Sequence, residues 1–281
     1  KTYTLSLIVR SIIARNERVL LTSYTHSAVD NLMVKLIEAG VSPAFAMRVG
    51  NISSINTAVQ PYAIDPDAKI MSTGEAVYSS LPTNIKNAGG INTSGLDPSA
   101  DVSTKNSGYL AQIRSRCSNA RLVACTVLTA PRSQVLKYFA TLADKQAAVS
   151  TSSSMEQSTL THNTVATIFD WCVVDEAGQI THPATIGPLM YASRFMLVGD
   201  DYQLPPLVVS KEAQNLGMGV SLFKELAERH PSAVMSLTTQ YRMNSEIMSI
   251  CNRLIYEHRM ECGTSELATK KLSLPFFPQK C

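Results

Sequence analysis

The chain has 281 residues, 45% of them hydrophobic, and a formal net charge of +3, which suits one large α/β domain, or one domain and part of another, and leaves the charge too balanced to name a partner. No apolar run approaches the roughly 18 residues of a membrane-spanning helix. Six cysteines, at positions 117, 125, 172, 251, 262 and 281, form no C-x-x-C pair, so reduced thiols in an intracellular protein are expected, and no metal or iron–sulfur centre within this stretch.

Lys1-Thr2 lead into Leu5, Ile8, Val9 and Ile12, the i, i+3, i+4, i+7 stripe of an amphipathic helix. Lys-Thr at a helix start is how a G-x-x-x-x-G-K-[ST] phosphate loop ends. Its glycines would precede residue 1, so the chain is expected to be a fragment cut inside that loop. Arg18 to Ser23 reads as a short strand. Thr25-His26-Ser27 then cap a helix from about Ala28 to Ala39, stopped by Gly40. Helix alternating with strand implies a parallel sheet. The rhythm breaks over about 80–108, rich in Asn, Gly, Ser and Thr, and again over about 150–164; both read as polar insertions. Between them, Ala120 to Thr126 forms another strand ending in hydroxyls. Val102 to Ala143 holds no acidic residue but has Lys105, Arg114, Arg116, Arg121, Arg132 and Lys137, which suits either a bound polyanion or a plain solvated basic face.

The apolar run Phe169 to Val174 ends in Asp175-Glu176, and a second run, Phe195 to Val198, ends in Gly199-Asp200-Asp201-Tyr202-Gln203-Leu204-Pro205-Pro206. Each reads as a buried strand that delivers acidic or amide groups at its carboxyl end, where an open parallel sheet binds ligands. A magnesium–nucleotide site needs a carboxylate near the metal, another to handle a proton, and an amide to sense a phosphate oxygen. Ser221 to about Glu228 is a helix ended by Pro231, and Gln240-Tyr241-Arg242-Met243 follows.

Four motifs in order (Leu20 to Asn31, Val174 to Gln179, Val198 to Pro206 and Gln240 to Met243) resemble those of superfamily 1 helicases of the nonsense-mediated-decay helicase-like type. Leu21 to Asn31 and Tyr241 to Met248, with Tyr256-Glu257 and Glu261-Cys262-Gly263, are most similar to the eukaryotic DNA replication helicase/nucleases. The resemblance spans residues 1–60 and 118–275. It implies an α/β P-loop NTPase with a RecA-like parallel sheet flanked by helices. Residues 1–235 would form a first motor domain and 236–281 the start of a second. It further implies ATP and Mg²⁺ as cofactors, single-stranded DNA or RNA as partner, a nuclear location, and an iron–sulfur cluster only in a nuclease part outside this chain. An RNA helicase of the same superfamily, or a catalytically incomplete nucleic-acid-binding fragment, are the alternatives.

Under this resemblance Lys1 would neutralise the β- and γ-phosphates and Thr2 would hold Mg²⁺ through its hydroxyl. Asp175 would hold Mg²⁺ through a water, and Glu176 would orient and deprotonate the attacking water. Asp200 would lie on the nucleotide side, and Gln203 would touch the γ-phosphate. Arg242 would act as an arginine finger and Tyr241 would stack on the adenine. Ser23, Thr25, His26 and Ser27, with Thr126 and Thr129 from the neighbouring strand, would meet the nucleic-acid backbone. Gly178 stands where relatives often have Ser, and little consequence is expected from that.

Overall fold

The computed structural model describes residues 1–65, 111, 113–140 and 167–271; the two polar insertions and the Pro275-Phe276-Phe277-Pro278 end lie outside them. The described residues fall into two compact units, Thr2–Leu226 and a smaller one from Ala227 onward.

The larger unit is built on a six-stranded sheet in the order β3-β2-β4-β1-β5-β6, with every pair parallel. The strands are β1 (Val19–Ser23), β2 (Ala46–Val49), β3 (Ala63–Ile64), β4 (Leu122–Thr126), β5 (Phe169–Asp175) and β6 (Ala192–Val198). A central parallel strand is covered on both faces, so it runs apolar without alternation; β1 and β4 are buried at every residue. Among the described residues β6 is an edge strand with a single neighbour and no buried residue, Phe195 being 50% exposed, so the buried strand expected over Phe195 to Val198 is corrected to a partly exposed one.

Alternate side chains feed two cores. On one face Val19, Leu21, Leu122, Ala124 and Val173 pack with Leu5, Val9 and Ile12 of α1 (Thr2–Ala14) and Val29, Leu32, Met33 and Leu36 of α2 (His26–Glu38). On the other, Leu20, Val123, Cys125, Cys172 and Val174 pack with Ile113, Cys117, Val135, Leu136 and Phe139, which belong to the helical stretches 113–119 and 134–140. The stripe expected for the first helix is the one α1 buries, with Ile8 at its margin. Thr25 caps α2 as expected, its hydroxyl accepting from the Ala28 N–H at 3.2 Å. Gly40 ends that helix at φ +93°, a left-handed conformation that glycine adopts without steric cost.

The smaller unit holds a two-stranded parallel pair, β7 (Thr239–Gln240) and β8 (Glu261–Cys262). Two helices accompany it, one over Ser245–Leu254 capped by Asn244 and one over Ser265–Thr269 capped by Thr264.

Candidate nucleotide and nucleic-acid site

Register places Ser23 beside Thr126 on one side and Asp175 on the other, and Asp175 beside Val198. In-register neighbours of parallel strands project to the same face, so Thr126, Ser23 and Asp175 form one row at the carboxyl edge, on the α1/α2 face. Asp175 is 5% exposed and its Oδ1 accepts from the Glu176 N–H at 3.0 Å. Ser23 is 1% exposed, and its Oγ has no hydrogen-bond partner. A buried hydroxyl left unpaired costs about 1–3 kcal/mol. Thr126 and Thr129 exchange a hydroxyl–hydroxyl bond of 2.8 Å.

Glu176 sits at φ +55°, ψ +36° and turns the chain into the short 3₁₀ segment Ala177–Gln179. That left-handed conformation costs a non-glycine residue roughly 1–2 kcal/mol. The loop after β6 lies against this turn. A Cβ on Gly178 would stand 2.8 Å from the Asp200 carbonyl oxygen, and one on Gly199 would stand 2.8 Å from the Gly178 nitrogen. Both obstacles are backbone, which cannot swing aside. In this chain the two loops meet too closely at Gly178 for a side chain. Asp200 holds the β6 loop, its Oδ1 accepting from the Tyr202 N–H at 3.1 Å and its Oδ2 from the Gln203 amide Nε2 at 2.7 Å. Gln203 is exposed and tethered to Asp200.

The row is flanked by two helix starts. Thr2 is the first residue of α1, with exposed Lys1 just before it. Because α1 returns into β1 through the short turn 15–18, its first turn lies toward the carboxyl edge. α2 begins immediately after β1: the Thr25 and Ser27 hydroxyls lie 3.3 Å apart, and between them His26 Nδ1 is 3.1 Å from Arg48 Nη2. Arg48 is wholly buried and pairs with Asp30, 2% exposed, through an Nε–Oδ1 bond of 2.7 Å. Asp30 Oδ2 accepts from the Asn56 N–H at 2.8 Å. Sequence reasoning missed this pair; its signal was a lone arginine inside the apolar stretch Ala46-Met47-Arg48-Val49.

In the smaller unit, Gln240 clasps the segment that follows it. Its Oε1 accepts from the Arg242 and Met243 N–H groups at 2.7 and 2.8 Å, and its Nε2 donates to the Met243 carbonyl at 2.7 Å. Tyr241 is 70% exposed and lies on Gly263, where a Cβ would overlap its ring. Arg242 is exposed. Ser23, Thr126, Thr129, Thr25, His26, Ser27, Asp175, Glu176, Asp200 and Gln203 thus gather along one sheet edge of the larger unit, while Tyr241 and Arg242 belong to the other unit. Of the basic stretch, Arg116 donates to the Tyr62 carbonyl and Arg121 to Asn16, Arg114, Arg132 and Lys137 are exposed, and Lys105 lies outside the described residues.

A family model described as an AAA domain matches residues 1–211, and a second of the same description matches 218–279. The DNA replication ATP-dependent helicase/nuclease of Homo sapiens is 34% identical over 277 residues, 99% of this chain and 20% of the relative. Its namesake in Arabidopsis thaliana is 34% identical over 274 residues, 98% of this chain and 15% of the relative. That of Saccharomyces cerevisiae is 33% identical over 275 residues, 98% of this chain and 14% of the relative. The chain spans about a fifth or less of the length of these relatives.

Proposed function

The chain belongs to the AAA-domain family, and from that premise we propose that, within its intact protein, it is the ATP-hydrolysing part of a DNA helicase that couples hydrolysis to movement along single-stranded DNA. The observation that carries this reading is the carboxyl edge itself. There an acidic turn (Asp175-Glu176), an amide-bearing loop (Asp200–Gln203) and a row of hydroxyls lie side by side in register.

Magnesium asks of a protein only one or two oxygen ligands beside the nucleotide phosphates. The Asp175 carboxylate, 5% exposed at the carboxyl edge, and the Thr2 hydroxyl at the first residue of α1 are oxygen donors of that kind. Thr2 and Asp175 would hold the ion, which when bound neutralises charge on the phosphates. Lys1 binds the β- and γ-phosphates as a point charge. Glu176 orients the attacking water and accepts its proton, and its left-handed backbone fixes where the carboxylate stands. Gln203, steadied by Asp200, reads the γ-phosphate. In the smaller unit Tyr241 is assigned to the adenine, and Arg242 to the charge that develops on the transferred phosphoryl group. Ser23, Thr25, His26, Ser27, Thr126 and Thr129 are assigned to the strand's phosphate oxygens, contacts that position without reading sequence. Nuclease activity is proposed for the whole protein by similarity to the named relatives, and DNA repair and a nuclear location from the motif resemblance alone, with no residue of this chain assigned to them.

The test is ATP hydrolysis by the intact protein alone, with single-stranded DNA and with single-stranded RNA. Stimulation by DNA over RNA is expected. Equal or RNA-led stimulation would move the protein to the RNA helicases, and no hydrolysis under any condition would leave a binding module. Glu176→Gln should bind ATP and fail to hydrolyse it; hydrolysis near the wild-type rate would remove Glu176 from the role of base.

A further inference from the structure

Arg48 spends its guanidinium on three partners: Nε on Asp30 Oδ1 at 2.7 Å, Nη1 on the Val49 carbonyl at 2.7 Å, and Nη2 on His26 Nδ1 at 3.1 Å. Arginine only donates hydrogen bonds, so Nδ1 of His26 has to accept. A neutral imidazole whose Nδ1 accepts carries its proton on Nε2. The ring is half-buried at the first residue of α2, its sequence neighbours Thr25 and Ser27 both bearing hydroxyls, three residues past Ser23. Two charged groups face it, Arg48 from β2 and Asp30 from its own helix. Burial and then Arg48 lower its pKa, against a smaller opposite pull from Asp30. Protonation at Nδ1 would turn the accepting nitrogen into a donor pointed at a guanidinium.

We propose that Arg48, anchored by Asp30, is a positioning residue that locks His26 as a neutral Nε2–H donor, and that this N–H binds a phosphate oxygen of the single strand. The inference rests on the reading of this edge as the strand site. It deepens that reading by stating the chemical form of one contact: a directional, uncharged donor that sets the backbone's orientation. Such a contact adds no counterion release, so it leaves no mark on the salt dependence of binding.

The experiment measures single-stranded oligonucleotide affinity of the intact protein against salt, from pH 8 to pH 6. A glutamine amide nitrogen overlays the distal ring nitrogen and an asparagine amide the proximal one. His26→Asn should therefore bind about five-fold more weakly than His26→Gln, as one lost neutral hydrogen bond implies, with equal salt slopes in wild type and both variants. Wild-type affinity should stay flat across the pH range, whereas Arg48→Met, its fold checked by circular dichroism, should gain affinity as pH falls because its imidazole is free to charge. A salt slope lowered by about one in His26→Asn, together with wild-type affinity that climbs toward pH 6, would mean an imidazolium contact and overturn the proposal. Were the His26 variants to match wild type while Thr25→Ala and Ser27→Ala weakened binding, the His26 contact would fall and the strand site would stand. If none of these variants weakened binding, both would fall. The His26 pair decides the matter even if Arg48→Met does not fold.

Discussion

Glu176 carries opposing demands on one residue. Its left-handed backbone is a conformation that asparagine tolerates better than glutamate. Glu176→Asn should raise thermal stability by about 1 kcal/mol while abolishing hydrolysis, as calorimetry and a phosphate-release assay on the same sample would register. Gly178→Ser should lose both stability and activity, forcing the Asp200 carbonyl away at a cost of roughly 1–3 kcal/mol. The buried thiols give a third outcome. Desolvation pushes Cys117 and Cys125 up to about 12, and Cys172 higher still, so these three stay protonated through neutral pH and form thiolate only in strong alkali or on unfolding. Cys251 and Cys262 are half-buried. Brief iodoacetamide treatment of the native protein, read by mass spectrometry, should modify Cys251 and Cys262 and spare Cys117, Cys125 and Cys172. Asp175 and Glu176 could be picked from sequence because they close an apolar run. The obligatory absence of a side chain at 178 could not, since its cause is a carbonyl 22 positions away in the chain.

Among the elements, α1, β1, α2, β4, β5 and β6 were legible because each carries its own signal: a helical stripe, a cap, or an unbroken apolar run. β2 and β3 are four and two residues long, too short to show a period. The helix over His182–Leu189 contains Pro183, Gly187 and Pro188, which disguise it. The Arg48–Asp30 pair joins β2 to α2 across 18 positions, a link that no local pattern announces. Breaking a buried pair leaves an uncompensated charge, so Arg48→Ala should cost about 3–5 kcal/mol in denaturant unfolding. Thr25→Ala, which removes only a cap, should cost about 1 kcal/mol.

Taken whole, the molecule distributes its burial unevenly. Nearly all of its core belongs to the larger unit, while Met235, Ile250 and Leu254 of the smaller one are 91%, 59% and 71% exposed. In native-state hydrogen exchange the amides of β1, β4 and β5 should be the last to exchange, and those of 239–270 should go early; protection of both to the same degree would refute separate stabilities. Trp171 is the single tryptophan of this chain, its indole N–H donating to Glu17 at 2.8 Å with the Arg194 guanidinium 4.7 Å above its ring. It stands at the amino end of the strand whose carboxyl end bears Asp175, four positions and about 13 Å of extended chain away. Nature has thereby fitted this sheet with an intrinsic fluorophore at the far rim from its chemistry: its emission will report melting of the central strands and stay silent when a nucleotide arrives.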